Sequence, residues 1–199
     1  MNIVVTGASG AAGRALCVRL GERGDTVIAV GTDAERLATV AAADRRVADL
    51  GDPDAVHVLA ADVASAHRGI GALVHLVGGW RGGDSAEADA WLRPRLVDTL
   101  ANVIAAFEAE LTASEGRLAI VSSTAVTPEA TSSYARAKRD AEELVARLSD
   151  RLAPADGAAT VFAIGHLGED GTPAAVLAER ITAWLDAPAA EVNGTRIVL

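Results

Sequence analysis

The chain is poor in aromatic residues, cysteine and cationic side chains, and each shortage narrows what it can be. Phe, Trp and Tyr make up only 3% of 199 residues, so the core must be built from Ala, Val, Leu and Ile. Half of the chain is apolar, which is enough for a sizeable core. Cys17 is the sole cysteine, so no intramolecular disulfide can form, which suits a reducing compartment. It falls in a helical pattern, where a packed thiol is expected rather than a reactive one. Lys and Arg number 18 against 27 Asp and Glu, a net charge of −9. So acidic a surface repels phosphate backbones, and nucleic acid is not an expected partner. Any bound phosphate must be held locally, by backbone amides and a few placed cations. No apolar run reaches the roughly 18 residues of a membrane helix. The opening segment lacks the order of charges and apolar residues that marks a secretory signal. The expected location is the cytoplasm. No Pro-, Gly- or Ser-rich linker and no internal repeat divides the chain, so residues 1–199 read as one domain. His57, His67, His75 and His166 have no metal-ligand spacing, and no metal site is expected.

What is present is an alternation of strand-length apolar runs with longer helical patterns. Ile3, Val4 and Val5 form a first strand that ends at Thr6-Gly7. Ala12, Leu16 and Leu20 share one stripe of a helix over 11–23. A second strand spans 26–30, and Asp33 can cap the helix after it. A short strand at 46–48 precedes a helix whose first turn holds Pro53, where a missing N–H costs nothing. A fourth strand is expected over 72–77, then a glycine-rich loop over 78–83. A helix follows from 85 to about 111, with a kink or break at Pro94. Strands at 118–122, 160–164 and 195–199 alternate with helices at 132–152 and 173–185. The pattern predicts an α/β fold: one doubly wound parallel sheet of about seven strands with helices on both faces. Buried parallel strands read as continuous apolar runs, as these do.

Two segments carry chemistry. Gly7, Gly10 and Gly13 lie between the first strand and the first helix. In that context one glycine permits the tight turn, one lets backbone approach a pyrophosphate, and one lets helix and strand pack closely. The helix N-terminus then offers unpaired N–H groups to the phosphates. The second segment is Tyr134 and Lys138, which lie on one helix face at i, i+4. A free phenol titrates near ~10, and an adjacent ammonium is expected to lower that value, giving a proton donor for a carbonyl under reduction. Ser122 and Ser123 close the fifth strand, where ligands of open α/β sheets bind. A hydroxyl there can hold a substrate oxygen. Trp80 and Trp91 either line a substrate pocket or serve ordinary packing.

These residues resemble the short-chain dehydrogenase/reductase family over nearly the whole chain. Thr6-Gly7-x-x-Gly10-x-x-Gly13 is similar to the spacing of its extended and atypical branches. Tyr134-x-x-x-Lys138 behind Ser122-Ser123 resembles the catalytic signature of its common branch. Asp49-Leu50 is similar to the pair beside the adenine ring. Residues 73–78 hold the place of the family's Leu-Val-Asn-Asn-Ala-Gly, with His75 and Leu76 replacing the asparagines. Asn193-Gly194-Thr195-Arg196-Ile197-Val198 resembles the closing turn and strand. The resemblance implies a Rossmann domain that binds NAD or NADP. It implies Tyr134 as general acid or base, Lys138 on the nicotinamide ribose, and Ser123, the second of its pair, as the substrate-orienting serine. The segment from the serines to Tyr134 is slightly short, so Ser122 stays open. Asp98 stands where the family has a fourth catalytic residue, an Asn in the long helix; Asn102 is the alternative one turn on. The implied cofactor contacts are Gly7, Ser9, Gly10, Ala11, Gly13, Thr32, Asp49, Leu50, Val77 and Gly78, with Tyr134 and Lys138. Between the sixth strand and the last helix, 165–171 replaces the family's Pro-Gly turn and substrate lid.

Cofactor choice rests on the end of the second strand, Gly31-Thr32-Asp33. Thr32 lies where an NADP enzyme often has Arg; Asp33 is late for the acidic NAD position and suffices as a helix cap. Arg36 or Arg14 could reach a phosphate. The small residues tilt the choice slightly to NADP. The leading functional expectation is hydride transfer between nicotinamide and a carbonyl or alcohol substrate. The alternatives are a dinucleotide-binding sensor or scaffold with little catalysis, and, more weakly, nucleotide-sugar epimerisation, for which the C-terminal part leaves little room. Association as a homodimer or homotetramer is expected through the helices bearing Asp98 and Tyr134.

Overall fold

A computed structural model describes all 199 residues. Seven parallel strands form one sheet in the order β3-β2-β1-β4-β5-β6-β7. They are β1 (Asn2–Thr6), β2 (Thr26–Gly31), β3 (Asp44–Val47), β4 (Ala72–His75), β5 (Arg117–Ser123), β6 (Ala158–Ile164) and β7 (Arg196–Val198). The helices are α1 (Ala11–Glu22), α2 (Ala34–Ala38), α3 (Pro53–Ala66), α4 (Ala86–Arg93), α5 (Thr99–Ala113), α6 (Ser133–Leu152), α7 (Ala174–Asp186) and α8 (Ala189–Val192). The central strands are buried on both faces, which is why they read as unbroken apolar runs.

Side chains alternate across the sheet. Val4, Ile28, Leu73, Leu118 and Ile120 pack beneath α3, α5 and α6. Ile3, Val5, Val74, Ala119 and Phe162 pack beneath α1 and α7. On this second side Phe162 meets Trp184 edge to face at 6.0 Å, and the indole N–H donates to Thr160 at 2.9 Å. Cys17 is buried there as well, and burial pushes its thiol up to about 12. It is the packed thiol expected of it.

Strand order grows outward from β1 in both directions, so the carboxyl ends of β1 and β4 flank a crevice. β4 stops at His75, short of the expected 72–77, while the Leu76 N–H still bonds the Thr6 carbonyl. β3 runs over Asp44–Val47 rather than 46–48. The long helix does not break at Pro94. It passes through one π turn, Pro94–Asp98, between α4 and α5. Proline supplies no N–H to the ladder, and the wider turn takes up the extra residue.

Candidate functional site

The turn from β1 to α1 is built from its glycines. Gly7 has φ of 69°, and a Cβ there would lie 2.7 Å from the Leu76 carbonyl oxygen. A Cβ on Gly13 would lie 2.5 Å from the Gly7 carbonyl oxygen. Both positions therefore exclude side chains. The Gly10 N–H donates to Gly7 at 3.0 Å, and Gly10 enters α1 with no side-chain cap. The amides of Ala11, Ala12 and Gly13 find no partner in the chain, and no acidic residue occupies that first turn. Uncapped amides at a helix N-terminus fit a pyrophosphate.

These residues open onto a cavity of about 700 Å³. Gly7, Ser9, Gly10, Ala11, Gly13, Thr32, Asp49, Leu50, Val77 and Gly78 all line it. Asp33 caps α2 by accepting the Arg36 N–H at 2.9 Å. The two arginines left open by the sequence now differ. Arg14 spends its guanidinium on Ser9, Thr39 and Arg36. The Arg36 guanidinium has no hydrogen-bond or ion-pair partner, and the residue lines the cavity beside Thr32.

A second cavity, of about 570 Å³, adjoins the first across Ala12, Leu76, Val77, Gly78 and Leu167. Ser122, Ser123, Tyr134 and Lys138 line it. Ser132 caps α6 through the Ala135 N–H at 3.3 Å, which fixes where Tyr134 begins the helix. The Ser122 hydroxyl donates to Glu142, one turn beyond Lys138. Ser123 Oγ accepts the Ala125 N–H at 3.1 Å, and its own proton stays free. Lys138 is buried and donates from Nζ to the Val121 carbonyl at 2.7 Å. Burial brings its pKa down to about 8, partly offset by Glu142. The Tyr134 pKa is not lowered as the sequence suggested. The ring is half-buried and desolvation raises it, with the ammonium 5.9 Å from the ring centroid.

Asp98 is not brought to either cavity. Its half-exposed carboxylate faces Arg93 at 3.6 Å, and Arg93 also reaches Asp140 at 3.3 Å. The π turn shifts the helix phase, so that Thr99 points inward in its place and lines the larger cavity with Arg95. Asn102 donates to the Leu50 carbonyl at 3.0 Å and so braces the expected adenine side. His75 is buried behind Thr99. It contacts Thr6 Oγ1 at 2.9 Å through Nδ1 and Thr99 Oγ1 at 3.4 Å through Nε2. The Thr99 hydroxyl donates to Arg95 at 2.7 Å, so it accepts from Nε2–H and leaves Nδ1 to accept from Thr6. Burial and the Lys138 charge bring the His75 pKa down to about 3. Sequence reasoning missed Thr99 and Glu142. A helical count forward from Lys138 would have reached Glu142, whereas Thr99 is hidden by the π turn.

The segment after β6 is short and closed on itself. The Thr172 N–H donates to His166 at 2.9 Å and the Gly168 N–H to Thr172 at 3.1 Å. Leu167 projects from it over both cavities.

A family model described as short chain dehydrogenase matches residues 1–168. No curated protein matches the chain by sequence. The fold is similar to that of a short-chain type dehydrogenase/reductase from Mycobacterium ulcerans, with a TM-score of 0.89 at 18% identity, covering 100% of this chain and 87% of that one. It is similar to a citronellol catabolism dehydrogenase of Pseudomonas aeruginosa, with 0.89 at 19% and coverage of 100% and 92%. An NAD+-bound xylitol dehydrogenase gives 0.84 at 18%, with coverage of 100% and 96%. At such identities the likeness is one of fold.

Proposed function

The chain belongs to the short-chain dehydrogenase family, and on that premise we propose that it is an NAD(P)-dependent oxidoreductase interconverting a carbonyl and an alcohol, with Tyr134 as its acid and base. The observation that carries this reading is the junction of two cavities: the one at the glycine turn opens into the one lined by Ser123, Tyr134 and Lys138. The bound cofactor supplies or accepts the hydride. In reduction, the Tyr134 hydroxyl gives its proton to the substrate oxygen; in oxidation the phenolate takes it back. Desolvation raises the Tyr134 pKa further, so the hydroxyl holds its proton at neutral pH and can give it in reduction. Ser123 is the orienting serine, because its proton is free for the substrate oxygen while that of Ser122 goes to Glu142. Lys138 is anchored by Val121 and places a positive charge beneath the tyrosine. Thr99, through His75, takes the positioning role at the long helix, and Asp98 is given none.

Replacing Tyr134 with Phe is expected to lower turnover by about 10²–10⁴-fold, the span of a lost general acid. The stabilisation by cofactor in a thermal-shift titration should survive. Unchanged turnover overturns the reading. NADP is the preferred cofactor, supported by the unpaired Arg36 beside small Thr32, with Asp33 committed to its cap. The same titration, run with NADP and with NAD, tests that preference. A second reading, a dinucleotide sensor, draws on the short closed segment after β6, which leaves the pocket without a long lid. Reduction of any member of a broad carbonyl panel counts against it. Self-association through the α4–α6 side is part of the proposal, and sedimentation equilibrium reads it directly.

A further inference from the structure

Resting on the oxidoreductase reading, we propose that the substrate is an uncharged, predominantly apolar carbonyl compound or its alcohol, and that Trp80 closes over it. The wall of the smaller cavity beyond the reactive groups is Val121, Ala125, Ile164, Leu167 and Leu177. No Asp, Glu or Arg lines it. Its one lysine, Lys138, already donates to Val121, and the exposed His166 ring stands at the rim. A substrate carboxylate or phosphate would lose its hydration there and find no arginine and no free lysine to pair with, whereas a hydrocarbon chain would exchange water for apolar wall.

Trp80 lines the same cavity yet is 73% exposed, the most exposed large apolar side chain of the protein. Such a ring stays in water only at a cost. It sits between two glycine pairs, Gly78-Gly79 and Gly82-Gly83. Open space surrounds the Cβ position of Gly78, so the backbone can swing at that end. The loop is moored beyond the ring: Arg81 pairs with Glu87, and the Gly83 carbonyl accepts the Ser133 N–H at 3.3 Å. Across the cavity, the segment from His166 to Thr172 is tied by its own hydrogen bonds. The moving wall is therefore the Trp80 loop, and the fixed wall is Leu167.

The experiment uses the intact protein, its preferred reduced cofactor, a homologous series of uncharged methyl ketones, and keto acids of matched length. In reduction the hydride adds to the carbonyl carbon and the Tyr134 proton to its oxygen, so ketone and reduced cofactor become alcohol and oxidised cofactor. Each added methylene is expected to raise kcat/KM about 4-fold, the equivalent of about 0.8 kcal/mol per buried CH₂. The keto acids should fall below the ketones by about 100-fold or more. Trp80→Ala should flatten the dependence on chain length, and Trp80→Phe should restore it. The thermal shift with cofactor, retained in both variants, shows that they fold. Binding is read independently by ketone quenching of indole fluorescence with oxidised cofactor bound, as the difference between the wild type and Trp80→Phe. Preference for keto acids, or a chain-length dependence indifferent to Trp80→Ala, overturns this inference and leaves the oxidoreductase reading standing. Quenching without turnover overturns the oxidoreductase reading and keeps the pocket assignment. Absence of both overturns both.

Discussion

His75 holds an ionisable ring where no charge is tolerated. Its folded-state pKa of about 3 lies below the ordinary 6.5. Between those values the unfolded chain takes up a proton that the folded one refuses. Its contribution is therefore fully present above about pH 6.5 and lost as pH falls toward about 3, at about 1.4 kcal/mol per pH unit. Urea denaturation at pH 7 and pH 5.5 should show that His75→Gln removes this slope while keeping one hydrogen bond to a threonine. Lys138 acts in the same sense in another window: stability is full above its ordinary 10.5 and declines as pH falls to about 8. Asp98→Ala is expected to change kcat/KM by less than about twofold, since its carboxylate lines neither cavity and its exposed pair with Arg93 contributes little. Initial-rate kinetics checks it. Residue identities were the most legible part of the site. That Tyr134, Lys138, Ser123 and the glycines come to adjoining cavities could be read because their spacing reflects local geometry. What each side chain does with its protons could not: the commitment of Ser122 to Glu142, or of Arg14 to three oxygens, depends on neighbours far away in sequence.

The element on which the proposed cofactor binding rests is the joint between β1 and α1. Gly13→Ala places a Cβ 2.5 Å from the Gly7 carbonyl oxygen, where both atoms belong to backbone held by the sheet. Helix and strand must part, at about 1–3 kcal/mol. A lower melting temperature and loss of the cofactor-induced shift are expected together. Elements were legible wherever pattern and punctuation agreed, as at the Asp33 cap and the buried runs of β1 and β6. They were not legible at Pro94. A proline announces an interruption but not its form, and the π turn that results carries Thr99 inward and Asp98 outward. Strand ends were blurred for a related reason. Whether β4 stops at His75 or runs on is set by the partner strand and the Gly7 turn, not by the apolar character of Leu76 and Val77.

For the whole molecule, cofactor and fold are thermodynamically linked. At 100 times its Kd, a ligand that binds only the folded state adds about 2.7 kcal/mol, which for this length corresponds to a rise in melting temperature of roughly 5–10 °C. Calorimetry with and without cofactor measures it. The alternation of strands and helices made the parallel sheet legible, but not its order, because which strands become neighbours is a property of the assembled layers. That order carries a kinetic consequence. No strand pairs with an immediate hairpin partner: Asn2 meets Thr26, Ile3 meets Ala72, and Ala72 meets Arg117. The chain must close long loops before any ladder rewards it, so refolding is expected in milliseconds to seconds rather than microseconds. Stopped-flow fluorescence of Trp184, which is dark to water only once α7 has docked on Phe162, times the last of those closures. During synthesis β1, an inner strand of the sheet, emerges ahead of both its neighbours and waits with one edge open until β4 arrives, an interval in which a nascent chain invites a chaperone.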